Sequence, residues 1–149
     1  MSIKNTASAV WEGDLKSGNG KVSTGNKGID NMPYSFKTRF EGENGSNPEE
    51  LIAAAHAGCF SMALSAELGK AGITADKIES KCTITLEKDE GGFTVTQSHL
   101  DLAVTAPGAD NTALEKAAND AKKGCPISKL LNADITLNAT YNGAQAKAA

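Results

Sequence analysis

Six residues combine side-chain type and placement in ways that could carry chemistry: Cys59, Cys82, Cys125, His56, Arg39 and Glu49. A thiolate can act as a nucleophile or as a metal ligand, and its pKa controls both. Cys125 stands in Gly124-Cys125-Pro126-Ile127-Ser128. Pro126 suits the first position of a short helix, which puts Cys125 at its N-cap. There the helix dipole and free N–H groups favour an ionised thiol. A plain capping role competes, although cysteine is not a preferred cap. Local electrostatics alone nominates Cys125 as the thiol of lower pKa. Cys59 is flanked by small residues that leave room for a substrate or a second sulfur. By position alone it reads equally as a redox group or as a buried helix cysteine. Cys82 alternates in phase with Ile78, Ile84 and Leu86 and reads as a small core hydrophobe.

Arg39 is the only arginine among fifteen basic residues. It reads either as part of a solvated strand face or as a planar, permanent cation holding a thiolate or a carboxylate. Glu49 is the candidate carboxylate. On a helix, ten residues separate it from Cys59, which places the two about 80° apart around the axis. Glu50 falls almost opposite Cys59 and suits the helix cap instead. His56 precedes Cys59 by three residues and shares its side of the helix. It could be a base or one metal ligand, but His56, Cys59 and a distant Cys125 fall short of the four ligands of a structural zinc site. A hydrogen-bonded helix histidine is the plainer reading. His99 has no visible partner and receives no role.

The element that positions these groups runs from Asn47 to Gly72. Asn47 is a strong N-cap, Pro48 fits the first turn, Glu49 and Glu50 suit the positive end of the dipole, and Gly69 or Gly72 can close the helix. Apolar residues go nearly all the way round, which predicts a buried central helix. Glu49, Glu50, His56 and Glu67 interrupt it too often for a membrane span. Ahead of it, strands are expected over Ser8–Leu15, Lys21–Thr24 and Tyr34–Phe40, with Asn19-Gly20 as a hairpin turn. Behind it, Lys77–Glu87 and Phe93–Thr105 read as paired strands, with a bulge near Gln97–His99 where the apolar phase slips. Asp110 opens a second helix ending at Gly124. Ile135–Tyr141 makes a last strand, and residues 143–149 read as a frayed tail.

The order is βββ-α-ββ-α-β, an α+β chain forming one domain over residues 1–149. The helix needs more apolar cover than this chain supplies, so a homodimer is expected. The net charge of −3 gives no nucleic-acid footprint. Met1–Asn5 carries no secretory signal, so a cytoplasmic location is expected. Three cysteines there are catalytic, metal-binding or incidental rather than a disulfide scaffold.

The chain resembles the OsmC subgroup of the OsmC/Ohr family of bacterial thiol peroxidases. The likeness rests on W-E-G-D-L-K at 11–16, Y-S-F-K-T-R-F-E-G at 34–42, N-P-E-E-L-I-A-A-A-H-A-G-C-F-S-M-A-L at 47–64 and G-C-P-I-S at 124–128. The resemblance implies an intertwined homodimer, with long central helices packed between antiparallel sheets and active sites at the dimer interface. It implies that Cys59 is the peroxidatic cysteine, Cys125 the resolving one, Arg39 the catalytic arginine and Glu49 its partner. That reverses the ranking of the thiols by dipole alone. His56 matches the OsmC rather than the Ohr pattern. The implied activity is reduction of organic hydroperoxides, and of hydrogen peroxide, in oxidative and osmotic stress defence. It proceeds through a Cys59 sulfenic acid and a Cys59–Cys125 disulfide, with no cofactor and no metal. The implied reductant is an external dithiol such as a lipoylated protein. Two other classes compete: a metal-binding module using His56, Cys59 and Cys125, and a non-catalytic protein binding fatty-acid-like ligands.

Overall fold

The computed structural model describes residues 1–146. They form two compact units, one spanning Met1–Leu51 and the other beginning at Ile52.

In the first unit, β1 (Ala7–Glu12), β2 (Asn19–Thr24) and β3 (Met32–Tyr34) make an antiparallel sheet in that order. The hairpin turn is not at Asn19-Gly20, because Asn19 pairs with Glu12 inside the ladder. Asp14 makes the turn instead, its Oδ1 accepting the Lys16 and Ser17 amides at 2.9 Å each. Gly20 serves close packing: a Cβ there would lie 2.4 Å from the Tyr34 ring and 2.8 Å from Trp11. Those two rings stack with centroids 5.5 Å apart.

Tyr34–Phe40 is not a strand. Only Tyr34 belongs to β3, and Phe36–Phe40 is a short helix, α1. Ser35 caps it reciprocally with Thr38: the Thr38 amide donates to Ser35 Oγ at 3.1 Å, and the Ser35 amide to Thr38 Oγ1 at 2.8 Å. Phe36 and Phe40 satisfy an alternating pattern, but they also sit at i and i+4, one helix face, with ring centroids 4.8 Å apart.

Helix α2 is Pro48–Lys70. The Glu50 amide donates to Asn47 Oδ1 at 2.8 Å, the capping bond expected of Asn47. Over a window of this helix mean hydropathy reaches 1.4, so length and composition alone would allow it to cross a membrane. In the second unit, however, it docks through one stripe. His56, Phe60, Leu64 and Leu68 are buried, while Ala54, Ala55, Gly58, Met62 and Ala66 are exposed. Within one chain the helix is therefore covered on one side only.

The stripe packs against a sheet ordered β4 (Lys77–Asp89), β5 (Gly92–Thr105), β6 (Asp134–Tyr141) and β7 (Ala144–Gln145). Ser98, Leu100, Leu102 and Val104 of β5 are buried, in the alternating phase of a strand with one core face. Removing residues such as Phe60, Leu64 and Leu100 wholly from water contributes about 1.5–3 kcal/mol each. Helix α3 (Asn111–Gly124) adds Leu114, Ala117, Ala118 and Ala121 to this core. The β5 bulge lies at Thr96, one residue before the expected stretch: Thr85 pairs with Gln97 and Leu86 with Val95, skipping Thr96.

This sheet is mixed rather than antiparallel. The connection through α3 and α4 (Pro126–Leu130) crosses back, so β6 runs parallel to β5. Part of the expected frayed tail is ordered, because Ala144 and Gln145 pair with Tyr141 and Thr140. Residues 147–149 of that tail lie outside the described residues.

Candidate active site

Cys59 and Cys125 come together in the second unit. Cys59 sits on α2 and is partly exposed; Cys125 is fully buried, and both thiols are free. Cys125 links α3 to α4, with its amide donating to the Ala121 carbonyl at 2.9 Å. It occupies the N-cap of α4 as expected, yet its side chain makes no capping hydrogen bond. The thiol is turned instead toward Cys59, and the two side chains interact directly. The Ile127 amide, in the first turn of α4, faces the Cys59 sulfur and favours its thiolate.

Burial raises the Cys59 thiol above the usual cysteine value, and the neighbouring Cys125 raises it further. The Ile127 N–H works in the other direction without cancelling these effects. Nothing among these contacts is a cation. Helix α4 therefore offers Cys59 an amide, and none of these contacts brings it a positive charge.

Arg39 and Glu49 come together in the first unit. Arg39 Nε donates to Glu49 Oε2 at 3.0 Å and Nη2 to Oε1 at 2.6 Å, a two-point fork on one carboxylate. The guanidinium also lies 5.2 Å from the centre of the Phe40 ring. Its side chain is 34% exposed and that of Glu49 14%. Arg39 is carried by α1, whose capping box sets its direction, rather than by the strand expected from the alternation. Glu49 sits in the first turn of α2, as expected.

His56 is buried with both ring nitrogens engaged. Nδ1 lies 2.6 Å from Ser98 Oγ and Nε2 2.7 Å from Ser128 Oγ. Burial lowers its pKa, so the ring is held neutral. Cys82 joins the same group, with its sulfur 3.1 Å from Ser98 Oγ and 3.8 Å from His56 Nδ1. Burial raises the Cys82 thiol, with the Ser98 contact opposing. Cys82 packs against the core as expected, but it also ends a polar chain. Among the described residues no three of His, Cys, Asp and Glu are grouped to hold a metal ion. A ring bonded at both nitrogens, as in His56, has no lone pair to offer one.

Sequence reasoning missed Ser98 and Ser128. Each had a signal: Ser98 is a hydroxyl in the apolar phase of β5, and Ser128 lies in the first turn of α4, three residues past Cys125. His99, expected to stand alone, faces Thr136 and Asp101.

A family model described as "OsmC-like protein" matches residues 41–140. The chain belongs to the OsmC-like protein family. It is 49% identical over 138 residues to the peroxiredoxin OsmC of Escherichia coli, a match covering 93% of this chain and 96% of that one. It is 33% identical over 109 residues to the organic hydroperoxide resistance protein OhrB of Bacillus subtilis, covering 71% and 76% of the two chains. The crystal structure of that OhrB superimposes with a TM-score of 0.71 at 27% identity, covering 91% of this chain and 98% of that one. The OsmC-like fold is thus shared with Ohr proteins as well.

Proposed function

We propose that this OsmC-like protein is a thiol peroxidase that reduces organic hydroperoxides, and hydrogen peroxide with them, in defence against oxidative and osmotic stress. The observation that carries the reading is the meeting of Cys59 and Cys125, two thiols distant in sequence, the first partly exposed and the second wholly buried. The similarity to a peroxiredoxin and to organic hydroperoxide resistance proteins supports it.

In this mechanism Arg39, oriented by the Glu49 fork, supplies the cation that the partly buried Cys59 thiol lacks. The Cys59 thiolate attacks the distal oxygen of R–O–O–H. The O–O bond breaks, sulfur is oxidised to a sulfenic acid, and the leaving alkoxide takes a proton to become R–OH. The Cys125 thiolate then attacks the Cys59 sulfur. An S–S bond forms, the S–O bond breaks, and the hydroxide leaves as water after gaining a proton. An external dithiol, of the lipoyl type, returns both cysteines to thiols by exchange. The chain's own residues suffice for the two oxidative steps.

The working unit is a homodimer forming a single domain per chain, in the cytoplasm. The exposed Ala54, Ala55, Gly58, Met62 and Ala66 of α2 support this assembly, because small residues let a second helix approach closely and Met62 is 77% exposed in one chain. Sedimentation at micromolar concentration should give twice the chain mass; a monomer would remove the dimer from the proposal.

The deciding experiment for the chemistry is treatment with one equivalent of cumene hydroperoxide, followed by mass spectrometry. The expected product is a Cys59–Cys125 disulfide with Cys82 free. Three unchanged thiols beside unconsumed hydroperoxide would end the peroxidase reading.

A further inference from the structure

We propose that His56 is a positioning residue for the resolving step. Through Ser128 it holds the start of α4, and with it Cys125, against the Cys59 sulfur. The inference rests on the peroxidase reading above, in which Cys59 is oxidised first and Cys125 resolves.

The polar chain Cys82–Ser98–His56–Ser128 takes one residue from each of four elements: β4, β5, α2 and α4. His56 and Ser98 are wholly buried, and Ser128 is 8% exposed. All four groups can be neutral, and serine hydroxyls both donate and accept, so the chain is satisfied in either imidazole tautomer. In so dry a place an unpaired member is costly. The network therefore favours one arrangement of the four elements rather than a range of them.

The arrangement bears on the thiols because of spacing. Helix α4 has five residues, too few to hold its shape alone. Its first turn carries Cys125 at the cap, the Ile127 amide that faces Cys59, and Ser128. On α2, His56 and Cys59 are three residues apart and share one side. One rigid helix turn thus presents both the sulfur to be oxidised and the ring that grips the element bearing the resolving thiol.

Resolution is the step most sensitive to this grip. Disulfide bonding requires an S–S distance of about 2.05 Å and a narrow range of dihedral angles. Cys125 is buried, so its thiol reaches the sulfenic acid only from where the fold already holds it. Hydroperoxide attack at Cys59 uses a diffusing substrate and depends on α4 only through the Ile127 amide, a looser demand than placing a second sulfur.

The test uses full-length Ser128→Ala and Ser128→Thr proteins. Each is oxidised with one equivalent of cumene hydroperoxide and quenched at intervals with dimedone, which traps sulfenic acid. Mass spectrometry then follows dimedone-labelled Cys59 and the Cys59–Cys125 disulfide. In S128A, conversion of sulfenic acid to disulfide should slow about tenfold or more, while sulfenic acid formation changes less than about threefold. S128T keeps the hydroxyl and should restore wild-type partition between the two species. A merely structural role would lower the melting temperature and slow both steps alike. Wild-type resolution in S128A, equal slowing of both steps, or S128T no better than S128A would each overturn the proposal. Wild-type protein that forms no sulfenic acid would overturn the peroxidase reading and this inference with it; that failure is recognisable because it precedes any substitution.

Discussion

Arg39 and Glu49 meet as a guanidinium–carboxylate fork partly open to water, whereas Cys59, itself partly exposed, meets a Cys125 thiol that is wholly buried. Around the second pair, the hydrogen-bonded groups are neutral: His56, Ser98, Ser128 and Cys82. The difference follows from desolvation. A guanidinium–carboxylate fork keeps its charges while water remains near, and a partly exposed ion pair of this kind contributes about 1 kcal/mol to stability. Deep burial would cost far more than the pairing returns. Burial suits the resolving role proposed for Cys125, a thiol that in that role must meet one partner and no other. It does not suit activation, since it raises the pKa of Cys59. In the proposed mechanism this difference divides the work: charge for making and using the thiolate, neutral packing for steering its oxidised product.

That division can be broken most severely at Cys59. Cys59→Ser should lower hydroperoxide consumption by about 10³-fold or more, since no other thiol can take its place, as a coupled dithiol assay would show. Cys125→Ser separates the steps: single-turnover consumption of one equivalent should persist, while dimedone-labelled Cys59 accumulates and dithiol-driven turnover fails.

On the charged side, Arg39→Ala should cost about 10²-fold in kcat/KM. Arg39→Lys keeps the charge but not the fork, so it should recover only part of that loss. Glu49→Gln should cost about tenfold, because the guanidinium loses its aim and not its charge. If Arg39→Ala resolves normally but is oxidised slowly, the division stands; slowed resolution instead would merge the two regions.

The smallest effect is on stability against pH. His56 is buried neutral, facing Cys82 as its only titratable hydrogen-bonding neighbour among the contacts described, and its pKa is lowered by burial. The unfolded chain therefore binds a proton more readily than the folded one. Stability contributed by the neutral ring is full above about pH 6.5 and declines as pH falls below it, with a slope that cannot exceed about 1.4 kcal/mol per pH unit for one proton. Urea unfolding between pH 7.5 and pH 5 should show this decline in wild-type protein and a flatter profile in His56→Gln. An identical profile would mean that the buried imidazole is not the group responsible.

Much of the fold was legible from local signals. Asn47-Pro48 marks the start of α2, Pro126 the start of α4, and the even phase of Leu100, Leu102 and Val104 the core face of β5. Misreadings came where one pattern serves two geometries. Phe36 and Phe40 fit both a strand and a helix face, and only the Ser35–Thr38 exchange of hydrogen bonds decides for the helix. Asn19-Gly20 is a turn signal in isolation, yet Gly20 is required because the Trp11 and Tyr34 rings cover it. The direction of β6 depends on where a long helical crossover lands, which no local signal encodes.

From residue types and order alone came the α+β class, the central helix and the candidates Cys59, Cys125, Arg39 and Glu49, because side-chain chemistry and helix signals act over a few residues; the resemblance to the OsmC/Ohr family, carried by motifs in that same sequence, gave these candidates their implied roles. Tertiary structure decided the rest. It set Cys125 against Cys59 and aimed the Ile127 amide at that sulfur. It also turned His56 from a candidate base or ligand into the centre of a buried hydrogen-bonded chain. These are contacts between residues far apart in sequence, and they exist only because an apolar core must close around helix α2. Which hydroxyl meets which ring is settled by how that core packs.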